Sequence, residues 1–422
     1  MKGSFPYRYR VLVLLFFLIL ITYLDRICIS LVGVRIKSEF HLTNEQFGWV
    51  LAAFSLAYAA FEIPSGVLGD RIGQRAVLIR IVLWWSLFTA LTGFATGLIA
   101  LIVIRFLFGT GEAGAFPTST AAISHWFPAH ETTRGLSALF LGQTIGAAIA
   151  PLLVVPIAAA YGWRSSFFVN GAIGVVWVLC FYLWFRNHPS EMKGISENER
   201  KYIEENRRFQ KHDTRFPWRT ALKSRSLQAL VGSFFCAQWG QYFFVAWLPV
   251  YLQEGKHFTE NQMKITVFFV FISAILSILV AGFFGDWLVQ KKGLRFGRRF
   301  LGMCALGGVS VALFITGFLS NTTLVAISLV TGYMFFVATG VAFYSTCVDV
   351  GGDRVGTVAG IMNFCGQVGA FVLAMTFGKI ADAAHNFEVS IFLLAGVLLI
   401  GCLLWLLVDP RTPLAAESKG ID

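Results

Sequence analysis

Gly66-Val-Leu-Gly69-Asp70-Arg71-Ile-Gly73-Gln-Arg75 follows directly on one long apolar run. Gly282-Phe-Phe-Gly285-Asp286-Trp-Leu-Val-Gln-Lys291-Lys292-Gly293, with Arg295, Arg298 and Arg299 close behind, follows directly on another. The two copies occupy corresponding places in the two halves of a 422-residue chain. Repeated halves of apolar segments are an architecture of membrane transporters, with the site between the halves near the bilayer midplane. In each copy the glycines let helix ends and a cytoplasmic gate loop approach closely, and Asp70 and Asp286 can cap a helix or pair with arginines such as Arg71 and Arg75.

Working outward from these loops, composition agrees. Hydrophobic residues make up 56% of the chain and charged residues only 14%, with a mean hydropathy of +0.69. Such a chain belongs in lipid. Apolar runs fall at 11–34, 47–66, 77–97, 98–121, 135–158, 166–186, 226–252, 263–284, 300–319, 322–347, 356–380 and 390–408. They are too long for buried strands and lack the alternation of a membrane barrel. The expected fold is an all-α integral membrane protein of twelve transmembrane helices in two six-helix bundles. Its parts are an N-terminal bundle (1–186), a cytoplasmic linker (187–225), a C-terminal bundle (226–410) and a cytoplasmic tail (411–422).

The formal charge of +11 is a topology signal and not a nucleic-acid site. With both termini in the cytoplasm, inner segments hold 26 of the 34 basic residues; outer loops hold Arg35, Lys37, Arg164, Lys256, Lys264 and Lys379. That bias orients a multi-pass protein of the plasma (inner) membrane. In the linker, Ser196 and Glu199 have capping-box spacing, and the helix they open, ending near Arg208, is expected to be a solvated element without chemistry. The seven cysteines lie in or beside spans as small packing residues, and no metal or cofactor is expected.

Charges inside the spans carry the functional information, because each is costly in lipid and persists where it meets a cavity or a partner. The first span holds Asp25 and Arg26, the second Glu62, the fourth Arg105 and Glu112. Asp25 lies about 21 Å from the cytoplasmic side and Arg105 about 10 Å from the outer side, so the two depths nearly coincide. Arg105 and Glu112, seven positions apart, share a helix face; Asp25 and Arg26 diverge by about 100°. Arginines offer bidentate hydrogen bonds to a carboxylate, and a buried acid can carry a proton. The competing reading is a static ion-pair network, in which Glu62 also belongs.

The sequence around these charges reads Thr22-Tyr-Leu-Asp25-Arg26, Tyr58 with Glu62-Ile-Pro64-Ser-Gly66, Arg105-Phe-Leu-Phe-Gly109-Thr-Gly-Glu112-Ala-Gly-Ala-Phe116-Pro117, and Asn187-His188-Pro189. Together with the repeated loop, this resembles the anion:cation symporter family of the major facilitator superfamily, which includes bacterial sugar-acid symporters, sialin and vesicular glutamate transporters. The resemblance implies that Arg26 and Arg105 line an anion site, that Asp25 and Glu112 are proton-linked, and that Tyr58 and Gln143 reach substrate. The chain departs from its relatives at Tyr344, where tryptophan is frequent, and at Asn363 with Gln367, where two asparagines are common. Gln238, Trp239, Gln241 and Tyr242 add a cluster of donors and ring faces on the seventh span.

Gly109-Thr-Gly111-Glu-Ala-Gly114 is a literal G-x-G-x-x-G, but it lies inside an apolar span with no strand before it and reads as helix packing. Asn321-Thr-Thr323 matches a glycosylation sequon on a short outer turn. No motif for nucleotide hydrolysis or intramembrane proteolysis is present. The expected function is proton-coupled symport of a small organic anion, a hexonate or hexuronate foremost, by a monomer whose other partners are protons and lipid. The alternatives are a drug or metabolite antiporter, weakly echoed by Gly142, Gly146 and Pro151, and a non-transporting receptor.

Overall fold

The computed structural model describes residues 6–128, 130–192, 194–206, 223–351 and 355–411; of residues 63, 66, 67, 70 and 356 it describes the backbone course alone. The chain forms α1 (Tyr7–Leu31), α2 (Gly33–Phe40), α3 (Asn44–Ile72), α4 (Gln74–Thr92), α5 (Leu98–Glu112), α6 (Ala115–Trp126), α7 (Thr132–Tyr161), α8 (Trp163–Trp184) and α9 (Glu197–Glu205). There follow α10 (Arg225–Tyr242), α11 (Glu260–Lys292), α12 (Leu294–Phe318), α13 (Thr322–Gly351), α14 (Val355–Ala384) and α15 (Phe387–Leu404). Among the described residues there is no strand. Among the described residues ten segments are long and apolar enough to cross a membrane, α5 and α6 counting as one. The two other expected spans, the second and seventh, are helical as well: α3, and α10 with its continuation.

Two compact units emerge. The first takes the described residues of Met1–Ile36 and Ala53–His212, the second those of Lys37–Ala52 and Asp213–Asp422. In the first unit α1 packs along α7, and α4 lies against α5 and α8. Glycine makes these approaches possible. A Cβ on Gly142 would stand 2.6 Å from the Phe16 carbonyl oxygen, and one on Gly146 still closer to that of Leu20. On α8, a Cβ at Gly171 would stand 2.9 Å from the Ser86 carbonyl oxygen of α4. With no hydrophobic driving force between helices in lipid, close backbone packing is what holds them.

The second unit packs α10 on α14 and α15, and α12 on α13 and α15. Its segment Lys37–Ala52 is fastened by charge. Asp382 on α14 accepts hydrogen bonds from Asn44 Nδ2 and the Glu45 N–H, both at 2.7 Å, and thereby caps the first turn of α3. Lys37 pairs with Glu254 at 2.5 Å.

Four expectations are corrected here. The repeated motif is not a loop. Helix α3 continues through Asp70 and Arg71 to Ile72, and α11 continues through Asp286 to Lys292. The turn is one glycine in each copy, Gly73 at φ 88° and Gly293 at φ 85°, a left-handed conformation that glycine adopts without strain. The fourth span is two helices, parted at Ala113 and Gly114. Pro117 explains the break: it has no N–H for the Ala113 carbonyl, and its ring would crowd a continuous helix there.

The seventh span, third, is not one regular α-helix. Beyond Tyr242 it passes through π-helical turns at Phe243–Trp247 and Tyr251–Gly255, on either side of Pro249, which cannot donate to the residue four before it. The linker helix, fourth, is solvated on one face and docked through the other. Ile203 is fully buried, and only half of the capping box forms: Ser196 Oγ accepts the Glu199 N–H at 3.2 Å. The Glu199 carboxylate turns instead to α1, which has Pro6 at its N-cap and no cap of its own. It accepts the Tyr7 and Arg8 N–H groups, both at 3.1 Å. Arg8 in turn pairs with Glu131 at 3.0 Å, and Tyr202 on α9 donates to Glu131 at 3.3 Å. Residues 207–222, including Arg208, lie outside the described residues.

Glu199→Ala is therefore expected to free the first turn of α1 and cost about 1 kcal/mol, the usual worth of a helix cap. Hydrogen exchange at Tyr7 and Arg8 should accelerate; unchanged protection would show that the carboxylate contributes nothing.

The two glycine turns differ in their surroundings. Asn187 Oδ1 accepts the Arg75 N–H at 2.8 Å, and a Cβ on Gly73 would come within 2.7 Å of Asn187 Nδ2, whereas nothing lies within 4 Å of a Cβ on Gly293. Alanine at either position bears about 1–3 kcal/mol of backbone strain, since positive φ with extended ψ is essentially a glycine-only region. Gly73→Ala should lose about 1 kcal/mol more by disturbing the Asn187 hydrogen bond. Thermal unfolding in detergent tests the order; equal losses would remove Asn187 from the account.

Candidate functional site

In the first unit four buried charges gather where α1 meets α5. Arg26 Nε donates to Glu112 Oε1 at 2.9 Å, and its Nη2 reaches the same oxygen. Glu112 is fully buried and Arg26 nearly so, with side-chain exposures of 0% and 14%. Because Cα–Cβ bonds tilt toward a helix N-terminus, Arg26 leans back along α1, and this lets it reach Glu112 at the far end of α5. Its guanidinium sits over three rings, Tyr23 at 4.8 Å, Phe54 at 5.0 Å and Tyr58 at 5.0 Å. Arg105 lies over Phe54 at 5.2 Å and Phe108 at 4.5 Å. The two arginines thus share the Phe54 ring, each a planar cation stacked on an aromatic face.

Asp25 points elsewhere, as its 100° offset from Arg26 requires. It is 2% exposed, and neither carboxylate oxygen has a hydrogen-bond partner among the described residues. Its electrostatic neighbours are Glu112 and Arg105. The second Glu112 oxygen, Oε2, also has no hydrogen-bond partner among the described residues. The arrangement combines two stacked cations with two acids whose oxygens are not all satisfied. Guanidinium groups match the planar geometry of a carboxylate or other oxyanion, and a buried carboxyl group is able to exist in either protonation state.

The other expected residues fall as follows. Tyr58 is buried against Arg26 and is an electrostatic neighbour of Glu62, which extends the charge network toward α3. Gln143 on α7 is half-buried beside Gly142, which packs on α1. Of the motif residues, Arg71 and Asp286 are exposed. The side chain of Asp70, and Gly66 beyond its backbone, lie outside the described residues. Arg75 lies over the Tyr182 ring at 4.9 Å. Arginines of the second copy pair within their own unit, Arg298 with Asp349 at 2.7 Å and Arg295 with Asp409 at 3.3 Å.

In the second unit, Tyr344 on α13 donates to Asn363 Oδ1 on α14 at 3.5 Å, so the structure joins two residues that the sequence had placed separately. Asn363 and Gln367, one turn apart, are both half-buried. Gln238 and Gln241 on α10 are half-buried, and a Cβ on Gly366 would stand 2.7 Å from Gln238 Cγ. Trp239 and Tyr242 are buried.

Reading the sequence for charge missed three contributors. Phe54 lies under both arginines and Phe108 under Arg105, and single aromatic residues in an apolar span give no signal. Asn170 on α8 is fully buried; a lone amide in an otherwise apolar run could have marked it. The glycines of the G-x-G-x-x-G string are packing residues. A Cβ on Gly109 would stand 2.7 Å from the Phe54 carbonyl oxygen, and one on Gly114 2.6 Å from Ser65 Cβ. Gly142 and Gly146, which echoed an antiporter motif, serve α1–α7 packing. Asn321 of the sequon caps α13, its Oδ1 accepting the Thr323 N–H at 2.9 Å.

This fold and this buried constellation define a multi-pass membrane transporter and not an enzyme. Residues 15–374 match the Major Facilitator Superfamily, and the chain belongs to that family. It is 31% identical over 418 residues to a probable sulfoacetate transporter of Cupriavidus necator, covering 97% of this chain and 96% of that protein. It is 30% identical to a D-galactonate transporter of Escherichia coli, over 95% of each chain, and 29% identical to a hexuronate transporter of Bacillus subtilis, over 92% of each. Among solved structures, a bacterial homologue of the human lysosomal transporter Spinster superposes with a TM-score of 0.78, covering 96% of this chain and 98% of that one. At 19% identity that likeness speaks for the fold alone.

Proposed function

We propose that the protein is a proton-coupled symporter of a small organic anion, a sugar acid of the hexonate or hexuronate type foremost, working by alternating access. The observation that carries this reading is the pair of guanidinium groups stacked on Phe54 beside Asp25 and Glu112. An anion that reaches Arg26 competes with Glu112 for its donors. Displaced from Arg26, Glu112 is a buried carboxylate without its partner and gains a proton, since a charge left alone in a low-dielectric interior neutralises. Anion arrival and proton uptake are thereby linked through one ion pair. Arg105 holds the second edge of the anion, and Asp25 carries a second proton.

The relatives support this class of cargo. Their names cover a sulfoacetate, a galactonate and a hexuronate carrier, all small oxyanions that a planar guanidinium edge fits bidentately. Tyr58, Gln143, Gln238, Gln241, Tyr242, Tyr344, Asn363 and Gln367 supply hydroxyl and amide partners for a polyhydroxylated cargo. On this reading the protein works as a monomer in the inner membrane with both termini cytoplasmic, its two six-helix halves (1–186 and 226–410) joined by the linker 187–225.

Uptake of labelled D-galactonate, glucuronate and sulfoacetate into proteoliposomes, with and without an inward proton gradient, tests the proposal. Gradient-stimulated uptake of at least one is expected, lost in Arg105→Ala. Uptake of all three that ignores the gradient, or survives Arg105→Ala, would sink it.

A further inference from the structure

Asn170 stands in a run of apolar and glycine positions, Phe167-Phe-Val-Asn170-Gly-Ala-Ile173. It is fully buried, no nitrogen or oxygen partner reaches its Oδ1 or Nδ2 among the described residues, and the one polar group beside it is a thiol, a weak hydrogen-bonding partner. An unsatisfied buried amide costs about 1–3 kcal/mol, where leucine would cost nothing. Its neighbour is the Cys28 thiol on α1, one turn from Asp25 and within the field of both Asp25 and Arg105. By helix rise, Asp25, Arg105 and Asn170 each lie about 10 Å from the ends of α1, α5 and α8 marked by Leu31, Leu98 and Trp163. Three polar side chains thus lie at similar distances along three helices, with Glu112 as a further electrostatic neighbour of Asp25.

We propose that Asn170 is a positioning residue for the proton on Asp25: its Nδ2 donates, through one bound water beside Cys28, to the Asp25 carboxylate and favours the deprotonated form. The assignment rests on the symport reading and deepens it. Asp25 has the positive field of Arg105 and the opposing field of Glu112 from α5. On its own helix stand Arg26, held by Glu112, and Cys28. The titratable groups of α7 are Arg134 and Tyr161, at its two ends. From α8, Arg164 lies at the helix end over Trp163, and from α6, His125 is held by Gln74. From α3, Tyr58 and Glu62 lie on the Arg26 side. A neutral donor suits this place. It stabilises a carboxylate by hydrogen bonding, yet adds no permanent charge that would hold the acid ionised through the whole cycle.

Infrared difference spectroscopy of the reconstituted protein, titrated between about pH 4 and 10, reads the carboxylic-acid C=O stretch directly and requires no cargo. Asp25→Asn assigns the Asp25 band and Glu112→Gln separates the other acid. Loss of a donor to the carboxylate raises proton affinity. Asn170→Ala should therefore move the Asp25 midpoint upward by about one pH unit, a tenfold change in proton affinity, and Asn170→Ser should fall between. Asn170→Leu, with the same branched heavy-atom skeleton and no donor, should match alanine and carries the test if the alanine variant does not fold. Midpoints in Asn170→Ala and Asn170→Leu at or below the wild-type value overturn the inference. An Asp25 band that fails to titrate in the wild type overturns proton carriage by Asp25 and this inference together. A titrating wild-type band with unmoved variants sinks this inference alone.

Discussion

Arg26→Ala should abolish gradient-driven uptake and also destabilise the protein by about 3–5 kcal/mol, because it strips the partner from a fully buried carboxylate. Two effects are superposed, and a second variant separates them. Arg26→Met combined with Glu112→Gln removes both charges at similar volume, and replacing a buried ion pair with neutral groups is often harmless to stability. The double variant should regain most of the lost thermal stability while uptake stays below about 1% of wild type, a deficit of at least about 3 kcal/mol in transport. Arg26→Lys should keep charge but lose the planar stack over Tyr23, Phe54 and Tyr58, and with it most of the uptake. If the neutral pair transported normally, the Arg26–Glu112 contact would be a structural strut only, and the link between anion and proton would have to be sought elsewhere.

Gly146→Val should be the most damaging packing change. A Cβ at Gly146 would run into the Leu20 carbonyl oxygen, a backbone atom that can yield only if α1 moves as a whole. The expected cost is about 3 kcal/mol, seen as a large fall in folded yield and melting temperature. Because Asp25 and Arg26 lie little more than a turn beyond Leu20 on the same helix, uptake per folded molecule should fall as well. Gly396→Ala is the control. No atom lies within 4 Å of a Cβ there, so helix propensity should make that variant neutral or stabilise it by about 0.5–1 kcal/mol. Equal effects at the two positions would refute the packing account of α1 and α7.

The helical spans were legible because lipid leaves a chain few choices. Every backbone polar group must be satisfied within the segment, and some twenty apolar residues are needed to cross. Interruptions were harder to read. Pro117 and Pro249 sit inside continuous apolar runs, and hydropathy does not register a missing N–H. The motif ending at Gly73 looked like a loop because it is polar. Charged residues at a membrane surface are polar whether they sit in a helix or a loop, and only backbone geometry reduces the turn to one glycine.

The candidate site divides in the same way. That Asp25, Arg26, Arg105 and Glu112 stand out in the chain followed from their cost in an apolar environment. Which acid meets which arginine did not, since Arg26 and Glu112 are 86 positions apart and spacing within a helix fixes direction, not partner. Residues without charge left weaker traces: Asn170 gained its meaning only from the Cys28 thiol across the helix boundary, and Phe54 only from the two cations it carries.

The linker shows the limit most plainly. Ser196-Glu-Asn-Glu199 has the spacing of a self-contained cap, and by sequence alone Glu199 should close on its own helix. In the folded chain α1 begins at Pro6 with unfilled N–H groups, and a carboxylate 191 positions later fills them. By itself, the sequence determined that this chain lives in a membrane as helices, with a few charged residues buried inside the spans. Those properties come from transfer free energies and periodicity, which are local. The tertiary structure decided the pairing of Arg26 with Glu112, the placing of Asp25 near Glu112 without a hydrogen bond to either member of that pair among the described residues, and the docking of α9 on α1. Each of these depends on which groups are left unsatisfied when distant segments meet.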